Sequence, residues 1–334
     1  MIRRLARRLA WGLFVVWATV TLAFLVNNAL PADPARMVAG PQARPQDVER
    51  IRRELGLDRP LVVQYARFFR RLVHLGPREV APKDPEHGTC TTLGPVHLDL
   101  GKSFQQRRPV VTILAERFPR TLLLAVAAAC VQALLGIAAG SLAAARKRTL
   151  VDHLAVSGSL LGVSAPTFVI GLFFQWLFAY RLRLLPIDGY GETTLEHLRA
   201  LVLPALTLGV FGAAYYTRMV RDEMLGQLEQ DYVRTARAKG LSGPAVLVRH
   251  ALRNALLPIV TILGLELGTL VGGAIVTEAI FRWPGLGSLS VNAMLDRDGP
   301  VIMGCVIVTS VAVVVSTIAV DLAYAVLDPR VRRS

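Results

Sequence analysis

A few residue groups have the types that do chemistry. Gly101-Lys102-Ser103, in the run LGKSF, matches the end of a phosphate-binding loop, where backbone amides and a lysine cradle a nucleotide. That loop needs a further glycine five residues earlier. The position holds Val96, and no strand is expected before it, so the chain has no recognisable ATP site. His87, Cys90 and His97 offer imidazole and thiolate donors, but their spacing matches no zinc signature and the segment reads as a solvated loop. Ser157-Gly158 raises the question of an intramembrane serine nucleophile, which needs a base at matching depth. His74, His87, His97, His153, His197 and His250 all fall in loops or at the ends of apolar runs, so no such base is present. No dinucleotide turn or metalloprotease motif occurs. The chain reads as non-catalytic, with no metal site and no cofactor of its own.

Charges inside apolar runs are costly and mark candidate functional positions. Glu266 lies about 12 residues into its run. At roughly 1.5 Å per residue that is near a bilayer centre. Two readings stand side by side: a carboxylate facing a water-filled path, where it attracts a cationic group of a substrate, or a carboxyl hydrogen-bonded between helices. Glu278 lies nearer the run's end, where a mouth or a packing role fits better. Asp321 reads as a structural charge with a local partner.

The elements that must position these residues are membrane helices. The chain has 334 residues, 53% of them hydrophobic, with mean hydropathy +0.46. Leu9–Ala32, Thr121–Ala145, Leu154–Tyr180, Ala200–Thr217 and Gly299–Val320 contain no Asp, Glu, Lys or Arg. Asn254–Phe281 is apolar apart from Glu266 and Glu278. A helix crosses the hydrocarbon core with about 20 such residues, so six transmembrane helices are expected. The first is read as a retained anchor rather than a signal peptide, because its apolar stretch exceeds the usual length and a small-residue cleavage site is weak.

Lysine and arginine set the orientation. Six spans place both termini on one side. That side holds 17 basic residues, against five in the short loops of the other; the remaining 16 lie in the long segment after the first span, which carries little weight under the rule. Both termini are therefore expected in the cytoplasm. The net charge of +14 belongs largely to this flanking pattern and to anionic lipid, not to nucleic acid. Cys130 and Cys305 read as small apolar residues in spans, and Cys90 has no second outer cysteine to pair with.

After the anchor, residues 33–110 form an extracytoplasmic segment. QDVERIRRELGLDRPLVVQYARFFRRLVHLG reads as helical, with Leu61, Tyr65, Phe68, Phe69 and Leu72 on one face. The following stretch to about residue 97, rich in Pro and Gly, reads as a loop. Trp176 and Tyr180 fit an interfacial aromatic belt, as does Trp283. FRWPGLGSL holds a Pro-Gly break and reads either as an interfacial loop or as a re-entrant segment. Gly264, Gly268, Gly272 and Gly273 form a small-xxx-small pattern that lets helix backbones approach closely.

Between the fourth and fifth spans lies DYVRTARAKGLSGPAVLVRHALRNALLP. Asp231 can cap a helix over Tyr232–Lys239, and Gly240 can end it in a left-handed turn. Gly243-Pro244 can start a second helix. There Pro244, Leu247, Val248, Ala251, Leu252 and Ala255 form a stripe opposite Arg249, His250, Arg253 and Asn254. Such a module suits either a membrane surface or a protein groove.

RTARAKGL, HALRNALLP and FRWPGLG closely resemble the permease subunits of ABC importers, in the dipeptide/oligopeptide/nickel branch. RELGLDRPLVVQY, DLGKSF and DLAYAVLDPRVR extend the resemblance over nearly the whole chain. It implies an all-α membrane protein with the type I importer permease fold. Residues 1–32 would be the cytoplasmic end and anchor, 111–327 a five-helix core with a coupling loop at 222–253, and 328–334 a cytoplasmic tail. It implies a second permease, non-identical in this branch, two ATPase subunits that bind ATP and Mg, and an external substrate-binding protein. The coupling loop, which docks into a cleft on the ATPase, would comprise Arg234, Thr235, Ala236, Arg237, Lys239, Gly240 and Leu241, with Leu247, Val248, Ala251 and Leu252 as the packing face of the second helix. Glu266 and Glu278 are the candidates for the translocation path. The implied cargo is a dipeptide or oligopeptide, with nickel, glutathione or oligosaccharide as alternatives within the same machine. A stand-alone channel or ion-coupled carrier is the rival class, and it would transport without an ATPase. Two departures stand out. The superfamily's Glu-Ala-Ala is Arg234-Thr235-Ala236 here, so no glutamate contact is implied, and the branch's usual amide is replaced by Glu266.

Overall fold

The computed structural model describes residues 2–29, 34–40, 42–54, 56–76, 89–93 and 95–327. The side chain of Asp321, all of His87 and the 328–334 tail lie outside the described residues, and so do the expectations placed on them. In chain order the elements are α1 (Ile2–Ala29), α2 (Pro34–Ala39), α3 (Pro45–Glu54), α4 (Leu61–Leu72), β1 (Val73–Leu75), β2 (Thr91–Leu93) and β3 (Val96–Leu98). There follow α5 (Val110–Ala145), α6 (Leu150–Ser164), α7 (Thr167–Phe174), α8 (Thr194–Leu228), α9 (Asp231–Ala238), α10 (Gly243–Ala245), α11 (Arg253–Gly273), α12 (Ile275–Ile280), α13 (Leu286–Leu295) and α14 (Gly299–Leu327). Wider π-helical turns continue α7 over Gln175–Arg181 and join α10 to α11 over Val246–Leu252.

Among the described residues, four helices are long and apolar enough to cross a bilayer, and two bent pairs raise the number to six if each pair is one span. The third expected span is not one rod. It breaks between Ser164 and Thr167, and its halves differ in direction by 103°. Pro166 is the cause: it has no N–H to donate, and it holds Ala165 extended at φ −79, ψ 126. The fifth run stops at Ala274 before α12, and Pro258 lies within α11. Conversely, α5 and α8 outrun their uncharged cores, at 36 and 35 residues. At about 1.5 Å per residue each is near 50 Å, longer than the hydrocarbon core. The start of α8 is a capping box: Thr193 accepts from the Glu196 N–H at 3.3 Å while Glu196 accepts from the Thr193 N–H at 3.2 Å.

The chain divides into two compact units. In the unit made of Ile2–Pro119 and Leu289–Val311, Val20 and Phe24 of α1 pack with Met303, and Tyr65, Phe68 and Phe69 of α4 close over them. The aromatic stripe seen in the sequence is thus a packing face, although Leu61 stays exposed. The helical reading of 46–76 needs correcting in two places. Gly56, at φ +68, separates α3 from α4, and the chain after Leu72 enters a sheet. Three short strands form it in the order β1-β3-β2, both pairs antiparallel. Asp99, 4% exposed, binds it to α4: it accepts from Arg71 Nε at 2.5 Å, from Thr89 Oγ1 at 2.8 Å and from the Gly101 N–H at 2.7 Å.

In the unit made of Arg120–Ser288 with residues from Ala312 onward, α8 is the central post, and α6, α7 and α11 pack on it. Tyr216, Val220 and Met224 of α8 meet Ala144, Ala251, Ala255 and Ile259 in one buried cluster. The small-xxx-small pattern works as expected at the positions described. A Cβ on Gly264 would lie 2.3 Å from Val320, and one on Gly268 3.1 Å from Ser316, so α11 lies directly against α14.

Candidate functional site

The loop between α8 and α11 folds as two elements around a bend. Val233 and Ala236 of α9 form a small core with Val246, against Leu228 and Leu241. Tyr232 fastens it further: its hydroxyl donates to Gln227 at 2.7 Å and accepts from Asn254 at 3.0 Å. Gly240 adopts φ +80, as a left-handed helix end requires, and its N–H donates to the Arg237 carbonyl at 2.9 Å. Asp231 is not the cap; it is the first helical residue, and Gln230 precedes it in extended conformation. What the bend presents to its surroundings is Arg234, Thr235, Arg237, Ala238, Lys239 and Gly240, all exposed, with Leu241 half-buried. Ala236 is buried, so it supports this surface from beneath.

The second helix uses most of its expected packing face, but against its own chain. Leu247, Ala251 and Leu252 pack into the chain's own cluster with Tyr216, Val220 and Met224. Val248 is 60% exposed, whereas Val246, outside the expected stripe, is buried. The physical reason is the π-helical stretch: its i→i+5 hydrogen bonds widen the turn and rotate the faces away from the 3.6-residue phase. Arg221 of α8 braces the same region, forking onto Asp152 of α6 at 2.5 and 3.0 Å.

Glu266 is held between three helices. Tyr216 of α8 donates its hydroxyl to one carboxylate oxygen, and the Gln132 amide of α5, with its nitrogen facing the carboxylate, donates to both oxygens at 3.3 Å. Tyr216 and Gln132 are buried, but Glu266 itself is half-buried. Glu278 is different. It is 0% exposed, accepting from Thr121 Oγ1 at 2.7 Å and from the Ser288 N–H at 2.9 Å. A Cβ on Gly285 would fall 2.3 Å from its carboxylate, so the turn is packed directly on it. Of the two roles expected for Glu278, packing is the one this geometry fits. It stitches α5, α12 and α13 around the FRWPGLG turn. Trp283 in that turn is not an interfacial belt residue: it is 0% exposed and donates Nε1–H to the Arg120 carbonyl at 3.0 Å. Trp176 and Tyr180 do remain exposed.

Against the sequence reading, a strand does precede LGKSF: β3 begins at Val96, where the nucleotide motif needs glycine. The LGKSF loop cradles an anion, but one the chain supplies. Asp298 accepts from Ser103 Oγ at 2.5 Å, from the Phe104 N–H at 3.2 Å and from the Gln105 N–H at 3.3 Å. The amides that would hold a phosphate are spent on this carboxylate. Beside them lies a cavity of about 1120 Å³, whose basic lining includes Arg52, Arg67, Lys102, Arg107 and Arg297.

Comparison with known proteins gives this geometry a context. Residues 136–333 match the family described as binding-protein-dependent transport system inner membrane component, and residues 1–125 match the N-terminal region of the same kind of membrane component. A putative peptide transport system permease of Brucella abortus is 40% identical over 98% of both chains. A probable D,D-dipeptide transport system permease of Escherichia coli is 38% identical over 98% of this chain and 97% of its own. A glutathione transport system permease of Shigella flexneri is 36% identical over 99% of both. Among solved structures, the MetNI methionine ABC transporter in an inward-facing form aligns with a TM-score of 0.54 at 18% identity, covering 66% of this chain and 98% of that one, which supports the fold. With both family matches spanning almost all of its length, the chain belongs to the binding-protein-dependent transport system inner membrane components, the permease subunits of ABC importers.

Proposed function

We propose that this permease carries dipeptides or oligopeptides, delivered by an external binding protein, through a path it forms with a second, non-identical permease. Two ATPase subunits bind ATP and Mg and supply the work; this chain hydrolyses nothing itself. Both termini and the α8–α11 loop face the cytoplasm, following the lysine and arginine distribution. The observation that carries the reading is the bend at Gly240. A rigid frame around Val233, Ala236 and Tyr232 presents Arg234, Thr235, Arg237, Lys239 and Gly240 outward, and Leu241 closes its edge. This is a shaped, cationic knob that suits a cleft on an ATPase. Because Leu252 and Ala251 continue into the cluster on α8, a push on the knob reaches the spans through packed side chains. The peptide assignment follows the names of relatives close to 40% identical. The half-burial of Glu266 beside Tyr216 and Gln132 supports a role on the path, where its carboxylate would meet a substrate's cationic end.

The test is uptake by proteoliposomes holding both permeases, the ATPases and the binding protein, with a labelled peptide library, glutathione, nickel and oligosaccharide offered in parallel. ATP-dependent peptide uptake that stops when the ATPases are left out is expected. Transport by this chain alone would sink the reading in favour of a carrier.

A further inference from the structure

The metal donors dismissed on their linear spacing are brought together by the small sheet, with one replacement. His74 of β1 and His97 of β3 are direct cross-strand partners, so their rings share a face. Cys90, immediately before β2, joins them, and the donor atoms of all three lie within 4.8 Å of one another. His74 Nε2 stands 3.7 Å from Cys90 Sγ. With Zn–N near 2.0–2.1 Å and Zn–S near 2.3 Å, a tetrahedral ion sets that edge at about 3.6 Å. With all donors within 4.8 Å, the third needs a side-chain adjustment of up to about 1.5 Å to close on the same ion.

The surroundings prepare these donors. His74 Nδ1 lies 3.0 Å from the Arg71 carbonyl. Donation there leaves Nε2, the atom facing Cys90, with its lone pair available, as in metal-binding histidines whose other nitrogen is held by an acceptor. Asp99 bonds both Arg71 and Thr89, the residues that set the positions of His74 and Cys90. His97 is 0% exposed and lies over Gly76, where a Cβ would come within 2.6 Å of its ring. Only a glycine leaves that ring its place.

We propose that His74, Cys90 and His97 bind a zinc-class transition-metal ion that laces the three strands together, with water as the fourth ligand. The chemistry of the donor set, two imidazoles and one thiolate, selects a borderline-to-soft ion over calcium or magnesium. Strands of three residues are marginal alone. One ligand on or beside each strand makes the ion a staple, and it contributes stability in proportion to its binding. Nothing in this depends on the cargo or on the coupling loop.

The experiment uses the full chain in nanodiscs, stripped with a chelator, reloaded with Zn²⁺ and desalted, with bound zinc counted by mass spectrometry. Wild type and Cys130→Ser are expected to hold one equivalent. Cys90→Ser and His74→Gln, both at partly exposed positions, are expected to bind at least tenfold more weakly. Co²⁺ in place of zinc should add a thiolate charge-transfer band that Cys90→Ser abolishes and Cys130→Ser keeps. Zinc should raise the melting midpoint of wild type and Cys130→Ser more than that of Cys90→Ser or His74→Gln, by the mass-action effect of a ligand that binds the folded state. Wild-type chain that retains no zinc, or Cys90→Ser and His74→Gln variants that retain as much as wild type, would overturn the proposal.

Discussion

Replacing Gly240 isolates the bend from everything around it. Its φ is +80, and a Cβ there would meet nothing within 4 Å. Alanine therefore adds no clash, only the backbone cost of a left-handed L-residue, about 1–2 kcal/mol. At 1.4 kcal/mol per tenfold, that lowers the population of the bent loop by up to about 5–30-fold. A partner that recognises only the bent state loses apparent affinity by the same factor. Proline goes further. It fixes φ near −65°, and it removes the N–H that donates to Arg237 at 2.9 Å. Gly243 provides the control: a Cβ there is equally unobstructed, and its φ is not positive. The assay is ATPase-subunit binding to the permease pair in nanodiscs, with permease-stimulated ATP hydrolysis measured on the same samples. Gly243→Ala should match wild type, Gly240→Ala should weaken binding by up to the factor above, and Gly240→Pro should abolish stimulation. All three should insert normally, because the bend lies outside the spans. Wild-type stimulation and uptake by Gly240→Pro would refute the docking argument.

Three further outcomes follow from the same geometry. Glu278→Ala strands the Thr121 hydroxyl and the Ser288 N–H, at about 1.5–3 kcal/mol for each bond to a charged group, so the melting midpoint and yield should fall sharply; Glu278→Gln should fall less, and an unchanged midpoint for the alanine variant would remove its packing role. Arg221→Ala leaves Asp152, 3% exposed, without its fork; a double-mutant cycle with Asp152→Asn should show coupling of at least about 1 kcal/mol, and a zero coupling energy would mean that the pair braces nothing. Glu266→Gln keeps the shape and hydrogen-bonding reach but removes the charge, so uptake of cationic peptides should drop relative to neutral and acidic ones in a competition assay; an identical profile would leave Glu266 as a helix-packing carboxyl only.

The parts legible in the sequence were those written in local rules. Uncharged runs marked the membrane segments, Gly240 marked a left-handed turn, and the glycines of α11 marked a close helix contact; each depends on a residue's own backbone or on its neighbours a turn away. The misses share a cause too. The third run looked uniform in hydropathy, which is blind to Pro166, although SAPTF carried the signal for the break. The stripe on the second loop helix assumed a 3.6-residue period, and the π-helical stretch shifted it, burying Val246 and exposing Val248. Trp283 looked interfacial because tryptophan is common there, but it is buried against partners distant in the chain, the Arg120 carbonyl and the Tyr190 ring.

The polar sites show the limit most clearly, because their partners are far away in the chain. Asp298 fills the amide cradle of LGKSF from almost 200 residues downstream, so no window of sequence could tell an anion-binding loop from one already satisfied. His97 was weighed with His87 because they are close in sequence, yet antiparallel pairing sets it opposite His74. Spacing rules for metal ligands describe loops and helices whose geometry is nearly constant. A three-stranded sheet has no such constant spacing: the register chooses the ligands, and Asp99 ties Arg71, ahead of β1, to Thr89, ahead of β2. A cluster of this kind becomes visible only after the strands are paired, when its three donors fall within 4.8 Å of one another.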